Sequence, residues 1–82
     1  MTKDQAVALI LKDNPGRVDL CVQYVDAWIE YREASENIDA NGLVVQHPRT
    51  MNPIVNPYAA IRDRALKKMQ AFPRMRVEKL WQ

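Results

Sequence analysis

The 82-residue sequence predicts an all-α fold: a helical hairpin of one long and one shorter helix, preceded by a short N-terminal helix and oligomerising. Three observations carry this. Residues 17–40 contain neither Gly nor Pro and keep their apolar side chains at helical spacing. Three Asn-Pro pairs, at 14–15, 52–53 and 56–57, divide the chain. Residues 57–72 then return to helical spacing on a basic background. A chain of this size buries only about 60% of its unfolded surface, so oligomerisation is a natural source of further stability.

The chain reads as one domain, 1–82, in five parts. In 1–16, Thr2 is positioned to cap a helix running to about Asp13, with Ala6, Val7, Leu9 and Ile10 as its apolar side, and Asn14-Pro15-Gly16 ends it. In 17–41, a helix of about 24 residues at ~1.5 Å per residue spans roughly 36 Å. Its seam, Cys21, Tyr24, Trp28, Tyr31, Ser35 and Ile38, follows alternating steps of three and four, and Val25 and Ile29 widen it. Asn41-Gly42 closes that helix. Residues 42–56 predict an irregular, Pro-rich connection: Leu43, Val44 and Val45 lack a partner strand of comparable quality and are expected to pack on the long helix. In 57–72, Asn56 is a natural N-cap and Pro57 a natural first helical residue. Tyr58, Ile61, Ala65, Met69 and Phe72 form the apolar side. In the tail 73–82, Leu80 and Trp81 are apolar anchors.

Composition excludes several function classes. The only glycines are Gly16 and Gly42, which leaves no glycine-rich phosphate loop. One histidine, His47, and one cysteine, Cys21, offer neither a nucleophile–base pair nor a transition-metal site, so no enzyme activity, metal or cofactor is expected. Cys21, on the seam, reads as a small buried hydrophobe. No apolar run approaches the roughly 20 residues of a membrane span, and the N-terminus lacks a cleavable leader pattern, so a soluble protein of a reducing, intracellular compartment is expected.

Charge is unevenly distributed. Residues 1–41 hold four bases and eight acids, a balance of −4; residues 42–82 hold eight bases and two acids, a balance of +6. The bland explanation is a pair of solvated faces that attract one another. The functional one is a basic half that meets nucleic acid, through Arg62, Arg64, Lys67, Lys68, Arg74, Arg76 and Lys79. Two helices cannot fully cover Tyr24, Trp28 and Tyr31, which together with Ile38 are expected at an interface with another copy of the chain.

"YVDAWIEYREASENIDANGLVV", followed by "NPIVNPYAAIRDRALKKM" and closed by "PRMR", resembles the phage terminase small subunits, in particular the group built on an α-helical hairpin with a Pro-rich turn. The likeness runs over about 18–80, with Pro73 and Arg76 at the closing Pro-x-x-Arg. The family usually carries Gly-Leu-Thr before that proline, where this chain has "MQAF", and the short N-terminal region has no room for a separate helix-turn-helix domain. The resemblance implies a non-enzymatic DNA-packaging component of a phage, prophage or gene transfer agent, acting in the cytoplasm of a bacterial host. Such subunits assemble into rings, bind double-stranded viral DNA and deliver it to a large subunit that holds the ATPase and nuclease. Two other classes compete: a small phage-encoded regulator or inhibitor that docks on a host protein through its aromatic helix, and a purely structural interaction module. Assembly state separates them.

Overall fold

The computed structural model describes residues 1–82 and is built around one long helix. Helix α1 (Lys3–Leu11) leads through a turn to α2 (Val18–Asn41); strands β1 (Val44–Gln46) and β2 (Pro53–Val55) come next, then α3 (Tyr58–Gln70) and a C-terminal 3-10 turn, Glu78–Trp81. Helix α3 folds back along the C-terminal half of α2, while α1 and the tail cover the N-terminal half. The molecule is elongated, 51 × 23 × 18 Å.

Local signals explain the helix starts. The Gln5 amide donates to Thr2 Oγ1 at 3.2 Å and the Thr2 amide to Gln5 Oε1 at 2.9 Å, a reciprocal pair that satisfies two otherwise orphan donors. Asn56 Oδ1 accepts from the Tyr58 amide at 3.0 Å, and Pro57 has helical angles (φ −56°, ψ −25°), as expected of a cap followed by a first-turn proline. Gly42 ends α2 at φ 88°, ψ 164°, a conformation open to glycine and costly for other residues, and its amide reaches Ile38 O at 2.7 Å.

Alanines let the two main helices approach. Ala27 and Ala34 of α2 and Ala59 and Ala65 of α3 are all buried, and Met69 fills the space at the end of α3. On the other side of α2, Ala6 and Ile10 of α1 and Leu80 of the tail join Cys21, Tyr24, Val25 and Trp28 in one core. The Trp81 indole N–H donates to Tyr24 Oη at 3.0 Å, and the Phe72 ring meets Tyr24 edge-on with centroids 5.7 Å apart.

The buried polar side chains are two asparagines, and each precedes a proline. Asn56, 3% exposed, donates through Nδ2 to Asn37 Oδ1 and to Gly42 O, both at 3.0 Å, besides capping α3. Asn14, 6% exposed, donates to Ile10 O and Arg76 O, both at 2.8 Å, and accepts from the Arg76 amide at 2.9 Å. The first asparagine joins α2 to α3. The second joins the α1–α2 turn to the tail.

The fold departs from the all-α expectation in 42–56. Instead of packing on α2, this segment forms an antiparallel hairpin pairing Val44 with Val55, Val45 with Ile54 and Gln46 with Pro53. Each strand of a two-stranded hairpin is an edge, so a proline at the start of β2 sacrifices little of the ladder. Leu43, Val44 and Val55 are exposed, not packed. At the tip, Met51 takes a left-handed conformation (φ 59°), and His47 Nδ1 accepts from the Arg49 and Thr50 amides at 3.1 and 3.4 Å, a structural role for the lone imidazole.

Asn56→Ala should cost about 2 kcal/mol, because a cap is lost and buried partners are left unsatisfied. Pro57→Ala should cost well under ~1 kcal/mol. Thermal melts should therefore show a drop of roughly 10 °C for the first and little change for the second.

Burial raises the Cys21 thiol above its ordinary value, with Arg17 opposing, and raises the Tyr24 phenol, with the Trp81 hydrogen bond opposing. Both groups are held protonated by the fold, so their contribution is fully present below their ordinary pKa values. It is lost as pH rises above the ordinary values of 9.0 for the thiol and 10.0 for the phenol toward their raised values in the fold. Urea midpoints should fall across that range, and in Trp81→Phe the phenolate absorbance should appear at still higher pH.

Candidate nucleic-acid interface

The seven basic residues singled out in the C-terminal half occupy two regions. On α3, Arg64, Lys67 and Lys68 stand at i, i+3 and i+4 and share one exposed side, while Arg62 is half-buried and lies 3.6 Å from Asp63. Arg74, Arg76 and Lys79 lie on the tail after Pro73, over the α1–α2 turn. Ion pairs divide them further: Lys68 Nζ lies 3.5 Å from Glu30 of α2, and Lys79 Nζ 3.3 Å from Asp13. Arg64, Lys67, Arg74 and Arg76 have no carboxylate partner, so their full charge is available to an anion.

The bland explanation of the charge asymmetry accounts for only part of it. Lys68–Glu30 and Lys79–Asp13 are the ion pairs that join the acidic half to the basic half. Both are solvent-exposed contacts, of a kind worth about 0–1 kcal/mol each. Asp19, Glu33 and Asp39 remain exposed and without a Lys or Arg partner along α2, while Arg32 of the same helix lies 3.6 Å from Glu36.

The aromatic residues expected at an interface fall into two groups. Tyr24 and Trp28 are only 6% and 4% exposed, because α1 and the tail supply cover that two helices alone could not. Tyr31 and Ile38 are half-buried. The Tyr31 ring meets Trp81 edge-on at 5.6 Å, and the Arg32 guanidinium lies 4.8 Å over the Trp28 ring. A different apolar surface stands free: Leu43, Val44, Met51 and Val55 on and around the hairpin, with Tyr58 close by in sequence. Sequence reasoning misses it because it assigns Leu43 and Val44 to packing on α2 and reads Met51 and Val55 as part of an irregular connection.

No group of three or more His, Cys, Asp or Glu side chains is placed to hold a metal ion, and no helix is long and apolar enough to cross a membrane. The geometry offers a mostly helical scaffold bearing unpaired cations and an exposed apolar hairpin.

The sequence pattern of the family described as "Phage terminase, small subunit" matches residues 14–75, most of the chain, and the protein belongs to that family. Small subunits of terminases are generally non-catalytic, the ATPase residing in the large subunit. The matched region holds α2, the hairpin and α3, and ends before Arg76, so α1 and the 3-10 turn lie outside it. No curated protein and no solved structure matches the chain.

Proposed function

We propose that the protein is the DNA-recognition component of a phage-type packaging motor, non-enzymatic, acting in the cytoplasm of a bacterial host. In this reading it binds double-stranded viral DNA and brings it to the large ATPase-nuclease subunit, as a homo-oligomeric ring. The observation that carries the reading is the family match over 14–75. The unpaired cations of α3 and the tail support the DNA contact, since phosphate neutralisation supplies most sequence-independent affinity. Four usable cations on one subunit bind weakly, and a ring repeats them.

Assembly is supported by the hairpin, where Val44 and Val55 pair across the strands and both stand exposed, next to exposed Leu43. Tyr31 and Ile38 are the aromatic-seam residues still available to a neighbouring subunit. Tyr24 and Trp28 are enclosed in the core between α1, α2 and the tail. The competing reading, a regulator docking on a host protein through its aromatic helix, is disfavoured because those two rings are enclosed by their own chain.

Light scattering coupled to size exclusion at tens of micromolar should return a mass above that of a dimer. Val44→Asp with Val55→Asp, which places two charges opposite one another on the hairpin, should dissolve the assembly and leave the helical signal intact. A clean monomer of the parent protein would overturn the ring.

Anisotropy with labelled duplexes should show binding that falls steeply with salt and varies little with sequence, because contacts of Lys and Arg to phosphates carry no sequence information. Reversing Lys67 and Lys68 together should weaken it for every duplex and flatten the salt dependence. Reversing Lys3 and Lys12 should do much less. If the N-terminal pair mattered more, the assignment of the basic helix would fail.

A further inference from the structure

At the end of the molecule formed by the α1–α2 turn, the tail crosses the start of α2 and leaves a groove of about 980 Å³. Arg17, Arg74, Arg76 and Lys79 line it, facing the acids Asp13 and Glu78. Four cations against two acids give +2, as large as the net charge of the entire chain. Asp13 is engaged by Lys79 at 3.3 Å, so three arginines and the single carboxylate of Glu78 remain without an ionic partner.

The backbone that presents these arginines is fixed from both sides. Asn14 holds the Arg76 main chain through its amide and its carbonyl, and Arg17 Nη1 donates to Arg74 O at 2.9 Å. Burial alternates along the segment: Met75 and Val77 are half-buried, while Arg74 and Arg76 are exposed. The two arginine heads are therefore free to turn outward while the residues between and after them anchor the chain.

We propose that this groove is a phosphodiester-binding site for duplex DNA, with Arg17, Arg74 and Arg76 as its contacts. The proposal rests on the DNA-binding reading above and deepens it. It adds Arg17, which lies in the acidic half of the sequence and outside the basic helix. The chemistry favours phosphate over a protein partner. Met75 is the one clearly apolar side chain in the lining, whereas protein interfaces place an apolar, aromatic-rich core at their centre. Phosphate contacts need no such core, and arginine's planar fork suits their oxygens. Because the tail is already ordered, little conformational freedom is lost on binding.

The test is fluorescence anisotropy of a labelled duplex against the full chain over a salt series, for the parent, Arg17→Gln, Arg74→Gln, Arg76→Gln and the control Lys12→Gln. Arg74→Gln and Arg76→Gln remove charge but keep the main-chain bonds to Arg17 and Asn14, so a folding defect does not mimic the result, and melting curves check this. Each groove variant should flatten the slope of log affinity against log salt by about 0.9 for every phosphate it no longer neutralises. Glu78→Gln should tighten binding, and Lys12→Gln should keep the parent slope. A parent that binds with all three arginine variants at its own slope, or with Lys12→Gln losing as much, overturns the groove alone. A parent that binds no duplex overturns the groove and the DNA reading together.

Discussion

Two side-chain amides hold this chain together. A carboxamide offers two donor hydrogens and an accepting oxygen, and Asn56 and Asn14 each use both donors and the acceptor on groups of the same chain. An aspartate in either place could not donate, and a glutamine would set its amide one methylene too far out. The proline after each asparagine pushes it out of the α region, so its side chain is free to turn back into the protein instead of continuing a helix. The Asn-Pro pair is thus a junction: it stops one segment, orients an amide and starts the next.

These junctions impose long-range order on a small protein. Asn56 fixes where α3 begins relative to the end of α2, and the alanines then allow the two helices to close along their length. Asn14 fixes the tail 62 residues away, and only with the tail in place are Tyr24 and Trp28 covered. In a domain that buries little surface per residue, losing the Asn14 junction exposes aromatic area worth a few kcal/mol, a large fraction of an ordinary total stability.

Local features were legible in the sequence and non-local ones were not. The cap at Thr2, the cap at Asn56, the break at Gly42 and the limits of α2 depend on residues within four positions of one another, and all stand within a residue or two of where spacing placed them. The hairpin was hidden because its strands have three residues each, one beginning with proline, too short for alternation to register. The enclosure of Tyr24 and Trp28 was hidden because the cover comes from the opposite end of the chain. The meeting of Arg17 with Arg74 was hidden for the same reason, at a separation of 57 residues. Family membership was legible through the aromatic helix, the Asn-Pro return and the basic helix together, and the matched region contains all three.

Net charge describes this surface poorly. At physiological ionic strength exposed charges are screened beyond roughly 8 Å, while the molecule is 51 Å long. The hairpin tip with Arg49, the α3 face with Arg64 and Lys67, and the Arg17–Arg74–Arg76 groove lie on different parts of that length, and each is felt according to its own immediate neighbours. Along α2 the exposed carboxylates repel phosphate just as locally. In the proposed DNA-binding role, a polyanion would meet repulsion at the acidic helix and attraction at the cations that no carboxylate of the chain has claimed. The division of sign along the sequence, which looks like a compositional accident at a total of +2, becomes in the folded chain a separation of exposed carboxylates along α2 from unpaired cations on α3 and the tail.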